Sequence, residues 1–231
     1  MQQAGGLVQG RGAPVRGLVA DMRRELGDRH DQILAVAAEL FASKGVAATT
    51  VREIADEVGI LSGSLYHHFD SKEAMVDEIL SPYLKDLSAA CEQVLARSAD
   101  PRVKLRDLVA ASLEVAAAHP HATEIYQSDV NYLAQSERFG YLTAAASQVR
   151  QAWLEILSDG VRQGAFRHDL DPPIVYRLMR DAIWLSVRWF KPTAEYPLAK
   201  FAEDCTSLFL YGVATSQGSA ARTRSQGARR G

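Results

Sequence analysis

The twenty residues from Thr50 to Phe69, TVREIADEVGILSGSLYHHF, constrain this chain more than any other stretch. Thr50 stands where a helix N-cap belongs and Glu53 follows three residues later, the spacing of a capping box. Val51, Ile54, Ala55 and Val58 recur at helical spacing and give that helix one apolar side. Gly59 closes it, because glycine reaches the left-handed conformation that a helix C-terminus commonly needs. Ser62 can then cap a second helix, GSLYHHF, whose Leu65 and Phe69 are four apart and can pack back onto the first. Ser62, Gly63, Ser64, Tyr66, His67 and His68 are left as small or hydrogen-bonding groups over the same two turns. Two short helices around a glycine turn, the second with an apolar back and a polar front, make the helix-turn-helix pattern. The first would cross a DNA backbone while the second lies in the major groove.

The flanking residues complete a headpiece. A helix over about 28–44 carries Ile33, Ala37, Leu40 and Phe41 as an apolar stripe, and Gly45 ends it. Ile33, Ala37, Phe41, Ile54, Val58, Leu65 and Phe69 are its predicted core. After the motif, Ser71 caps a further helix with Glu73 and Asp77 in its early turns, and that pattern continues past Pro82 to about residue 97. Proline inside a helical pattern kinks or restarts it, so Ser81-Pro82 is the expected joint between head and body. Asp100-Pro101 is a second start signal, for a helix running to about Ala118. Further helices are predicted at roughly 121–134, 136–163, 172–190 and 197–215. No alternating β-branched runs or hairpin turns occur. The expected fold is all-α with about nine helices, divided into a mobile arm (1–27), a helix-turn-helix domain (28–75), a helical body (76–215) and a disordered basic tail (216–231). Arg11, Arg16, Arg23 and Arg24 of the arm either reach a minor groove or phosphates or belong to a solvated tail.

Composition excludes more than it selects. Apolar residues make up 47% and charged ones 23%, and no apolar run reaches the roughly 18 residues of a membrane span. The N-terminus has no continuous apolar core of signal-peptide length, so a cytoplasmic protein is expected. Cys91 and Cys205 stand alone, which fits reduced thiols. Net charge is −2, so any grip on DNA must come from local positive charge.

The segment LFASKGVAATTVREIADEVGILSGSLYHHFDSKEAMVDEIL resembles the signature of the TetR family of bacterial repressors, over about residues 30 to 80. The body is similar, more loosely, to the actinobacterial branch that represses cholesterol ring degradation; ILSGSLYHHF, VYRLMRDAIWLSVRWF and GAFRHDLD carry that likeness. The resemblance implies a homodimer formed through the last two long helices and a ligand cavity in the body. For the branch, it implies an effector that is a coenzyme A thioester of a steroid-derived indanedione propionate. No cofactor is implied beyond that acyl-CoA effector.

In such a headpiece Arg52 and Lys72 can reach phosphates, and Thr50, Ser64, Tyr66 and His67 can donate to phosphate oxygens. Ser62 and Gly63 open the second helix and stand nearest the base edges. Tyr66 and His68 can alternatively pack the head. From Arg29 to Ala74 there are four Lys or Arg against seven Asp or Glu, a formal −3. A modest salt dependence follows, since each phosphate contact adds roughly −0.9 to the log-log slope.

On the predicted 172–190 helix, Arg180, Trp184 and Arg188 are four apart, and Arg177 lies on the same arc. Ile174, Leu178, Ala182, Leu185 and Trp189 fall opposite. The arginines are either solvated beside a dimer seam or line a cavity mouth, where a guanidinium suits phosphate and carboxylate and tryptophan offers a flat surface. The resemblance favours the cavity, with Tyr126 and Trp153 as further lining candidates. Leu208, Phe209, Tyr211 and Gly212 fit dimer packing. Adjacent His67 and His68 cannot chelate one ion from a helix, and no catalytic spacing or phosphate loop appears, so neither metal site nor enzyme is expected. The expected partners are double-stranded operator DNA, an acyl-CoA and a second copy of the chain. The alternatives are a same-fold sensor of a fatty acyl-CoA or hydrophobic cation, and a helical enzyme or adaptor that does not bind DNA.

Overall fold

The computed structural model describes residues 14–213, with side chains from 28 to 212. Residues 1–13 and 214–231 lie outside the described residues, as do the side chains of 14–27, so the roles expected of Arg11, Arg16, Arg23, Arg24 and the basic tail fall outside them. All regular structure among the described residues is helical. In chain order the helices are α1 (Pro14–Lys44), α2 (Val51–Val58), α3 (Ser62–Leu65), α4 (Lys72–Leu95), α5 (Pro101–Ala118), α6 (Pro120–Leu133), α7 (Gly140–Arg162), α8 (Pro172–Trp184) and α9 (Leu198–Val213). Short 3-10 turns at Glu137–Phe139 and Leu185–Arg188 lead into α7 and out of α8.

The head forms around its expected residues. Ile33, Ala37, Phe41, Ile54, Val58, Leu65 and Phe69 are all buried. Thr50 and Glu53 form both bonds of the capping box, and Gly59 takes φ +76 at the end of α2. The core continues without a break into the body through α4, where Met75, Val76 and Ile79 are followed by Tyr83, Leu84, Leu87, Cys91 and Val94. Helices α4 and α5 pack along one another, α5 lies also against α7 and α9, and α6 packs back onto α1.

Five expectations are corrected. The aperiodic stretch expected as a mobile arm is helical from Pro14 onward. Its Leu, Ala, Met, Arg and Glu residues favour helix, and extending a formed helix fixes one residue per hydrogen bond gained. Pro82 does not restart a helix, since α4 runs through it unbroken. Ser62 is the first residue of α3 and Leu61 is its cap, without a side-chain cap bond. The second helix of the motif is also shorter than GSLYHHF; beyond Leu65 the chain turns through His67 and His68, whose N–H groups bond carbonyls three residues back. Finally, α8 ends at Trp184, and tighter 3-10 winding carries the chain to Arg188.

Candidate nucleic-acid interface and effector cavity

The head presents α3 and its flanks to solvent. Gly63 and His67 are exposed, Ser62 and Ser64 half-buried, and Tyr66 is 56% exposed. A Cβ on Gly63 would meet nothing within 4 Å, so this surface is open for close approach. Arg52 is exposed, held only by an i,i+4 pair with Asp56 at 3.7 Å, and remains able to reach a phosphate. His68 is half-buried. Leu61, 80% exposed beside Ser62, was not among the expected contacts. Its sequence signal was an apolar residue directly before the second helix, where a side chain able to cap is preferred.

Two expected phosphate contacts are engaged inside the protein. Thr50 Oγ accepts from the Glu53 N–H at 3.2 Å and donates to Glu53 Oε2 at 3.0 Å, while the Thr50 N–H donates to the same carboxylate at 2.8 Å. These bonds, with Lys44 Nζ beside them, hold the Glu53 carboxyl below its usual range. Lys72 Nζ donates to the carbonyls of Val46 at 2.7 Å and Thr49 at 3.0 Å. Its ammonium therefore braces the turn that delivers α2, rather than standing free for DNA. Among the described residues no group of three His, Cys, Asp or Glu side chains is placed to hold a metal ion.

The body encloses a cavity of about 330 Å³ between α4, α6, α7 and α8. Arg180, Trp184 and Tyr126 line it, together with Tyr83, Gln127, Asn131 and Tyr176, which were not among the candidates. Trp153 is fully buried behind the wall, its ring 6.1 Å from those of Tyr176 and Trp184. Arg177 and Arg188 do not line the cavity. Arg177 faces solvent, and Arg188 donates to Ser128 Oγ at 2.9 Å and lies 3.8 Å from Glu124. The winding change explains Arg188: four residues at about 100° each return to one face, whereas four at about 120° do not. Tyr83 and Tyr176 escaped notice because one follows the apparent break at Pro82 and the other sits within an apolar run.

The cavity wall is rich in donors. Burial raises the pKa of Tyr83 and Tyr176 and pushes Tyr126 up to about 12, so all three phenols stay protonated at neutral pH. The Tyr83 hydroxyl and Trp184 Nε1 are buried without completing a hydrogen bond, although each is among the other's near polar neighbours. Arg180 contacts Asp181 through Nε at 2.9 Å and Nη2 at 2.6 Å, which leaves Nη1 available. No Asp or Glu lines the cavity. A neutral or anionic acceptor suits such a wall, and a cation does not.

The apolar arc of α8 is turned outward. Val175, Tyr176, Met179, Ile183 and Trp184 face the core, while Leu178 is 67% and Trp189 65% exposed, with Ile174 and Leu185 also at the surface. Leu208 and Tyr211 of α9 are exposed as well.

Comparisons with known proteins agree with this architecture. Residues 33–79 match the model of bacterial regulatory proteins of the tetR family, and residues 98–213 match the tetracyclin repressor-like C-terminal domain. The HTH-type transcriptional repressor KstR2 of Rhodococcus jostii is 44% identical over 187 residues, 81% of this chain and 92% of that protein. KstR2 of Mycolicibacterium smegmatis is 42% identical over 202 residues, 87% of this chain and 98% of its own length. The structure of the ketosteroid transcriptional regulator KstR2 of Mycobacterium tuberculosis, 41% identical, superposes with a TM-score of 0.75 over 81% of this chain and 96% of that one. The described helices, the capped helix-turn-helix and these matches together place the chain in the TetR family of bacterial transcriptional regulators, as a repressor rather than an enzyme.

Proposed function

We propose that this repressor binds a palindromic operator as a homodimer and is released by an acyl-CoA whose acyl part is a keto-bearing, steroid-derived ring system. The observation that carries the reading is the donor-lined cavity. Arg180 supplies an always-charged fork, Trp184 a flat apolar surface, and Tyr83 with Trp184 two buried polar groups that complete no hydrogen bond. Ring ketones would satisfy them. At about 330 Å³ the cavity lies at the lower end of the ~300–1,000 Å³ typical of ligand sites. It accommodates a compact acyl group, and the nucleotide portion of a coenzyme A thioester would lie at the mouth. The similarity to a ketosteroid regulator supports the same ligand class. The exposed apolar arcs of α8 and α9 support dimerisation through those helices. Ligand can shift operator affinity only by its differential affinity for the bound and released states.

Arg180→Met tests the assignment. The variant should hold operator DNA in a gel shift as the wild type does, while a sterol-derived acyl-CoA no longer releases it. Release by that thioester at the wild-type concentration would remove Arg180 from the ligand site. Release of the wild type by a fatty acyl-CoA, but not by a sterol-derived one, would replace the ligand class.

A further inference from the structure

Leu61 is unexplained by the fold. It occupies the N-cap of α3 with φ −71 and ψ 140, and its side chain makes no cap hydrogen bond. Ser, Thr, Asp or Asn there would stabilise the helix by accepting from one of its unpaired backbone N–H groups. Leucine forgoes that gain, and with 80% of its surface exposed it contributes almost nothing to the core. A large apolar side chain is thus held in water at the start of the helix that enters the major groove.

The surroundings narrow what it meets. A Cβ on Gly63, two residues on, would meet nothing within 4 Å, so the surface at the start of α3 is open to close approach, and Leu61 is itself 80% exposed there. The segment from Arg29 to Ala74 is formally −3, and Lys72 and Thr50 are engaged internally. Charge therefore supplies a reduced part of the grip here, and short-range contacts at base edges carry more. In the major groove, the unmodified base with an apolar group on its edge is thymine, through its 5-methyl. Helix-turn-helix proteins bring the first residues of the second helix to base edges. Tyr66, the other large exposed side chain of the turn, sits at the opposite end of α3.

We propose that Leu61 is a specificity-determining residue that reads one thymine per half-site through its 5-methyl group. This rests on the repressor reading, so its test separates the two. Purified wild-type protein selects duplexes from a random-sequence pool, and each thymine of the recovered duplex is then replaced singly by deoxyuridine. That removes the methyl and keeps the hydrogen-bonding edge. One position per half-site should weaken wild-type binding by roughly five- to hundredfold, the range of a single wrong base pair. Leu61→Ala should lose a similar factor on the thymine duplex and nothing further on the uracil one. Leu61→Ser, which can restore the cap, should show the same loss of affinity with an unchanged or raised melting temperature, which separates recognition from folding. If uracil weakens Leu61→Ala as much as the wild type at every position, or Leu61→Ala binds the thymine duplex like the wild type, the contact is refuted. A pool that wild-type protein does not enrich would overturn the DNA-binding reading itself, and the contact with it.

Discussion

Asp129 on α6 accepts a hydrogen bond from the backbone N–H of Val46 at 3.3 Å, across 83 positions of sequence. Its second oxygen is buried and unbonded, and the position a Cβ on Gly45 would take lies 3.4 Å from Oδ1. Helix α6 also lends Tyr126, Gln127, Val130 and Asn131 to the cavity. One carboxylate therefore ties the cavity wall to the turn that delivers α2.

Burial raises the pKa of Asp129, against the opposing pull of the Val46 N–H and the Lys72 charge. A folded-state pKa above the unfolded value of 3.8 means the folded protein binds the proton more tightly. The folded state gains relative stability as pH falls through the raised pKa, and the burial penalty is in full force above it. Asp129→Asn keeps an oxygen for Val46 and removes the charge. Its melting temperature should rise relative to wild type as pH climbs from about 4 to 7, with the two curves converging at the acid end. A difference that is flat with pH would show that Asp129 does not titrate differently on folding.

Lys72 and Arg52 should separate in salt. Arg52→Ala should reduce the log-log salt slope of operator binding by about 0.9 per subunit, the loss of one phosphate contact. Lys72→Met should leave the slope alone and lower stability by about 1–3 kcal/mol, since it strands two carbonyls that now accept a charged donor. Binding at several salt concentrations with a parallel urea melt decides it, and a slope change for Lys72→Met would return that residue to the phosphate.

Gly160 lies inside α7, where alanine would ordinarily be worth ~1 kcal/mol over glycine. Here an added Cβ would sit 2.0 Å from Cδ2 of Phe166, a ring that is itself buried. Overpacking of this sort costs typically 1–3 kcal/mol, occasionally more, which outweighs the helical gain. Gly160→Ala should melt at lower temperature, and a rise would mean the Phe166 loop yields freely.

Leu178→Glu places a charge in the middle of the exposed α8 arc. Sedimentation should show the wild type as a dimer and the variant as a folded monomer, with helical content retained and operator binding lost. A variant that stays dimeric would move the interface away from this arc.

What the sequence disclosed was what short-range chemistry decides. The Thr50–Glu53 box, the left-handed Gly59 and the Asp100-Pro101 start each depend on neighbours within a few residues, and each sits where the spacing put it. Lys72 could not be read that way, because its two carbonyl acceptors come from the turn before α2. Arg188 was lost to a change of winding at Leu185 that no residue nearby announces. The apolar arc of Ile174, Leu178, Leu185 and Trp189 is apolar enough to be a core, yet the chain buries Val175, Tyr176, Met179, Ile183 and Trp184 instead, and sequence alone does not say which set a single chain keeps for itself. Tyr83 and Tyr176 become cavity residues only once α4 and α8 are brought together.

The arrangement of the three tryptophans has an optical consequence. The rings of Trp153 and Trp184 lie 6.1 Å apart in a buried wall, and Trp189 is 65% exposed, edge-on to Phe201 at 5.6 Å. The buried pair should emit to the blue and the exposed ring to the red. Filling the cavity would change the first band, and pairing of two chains over α8 would change the second. A single spectrum thus separates occupancy from assembly, without an added label.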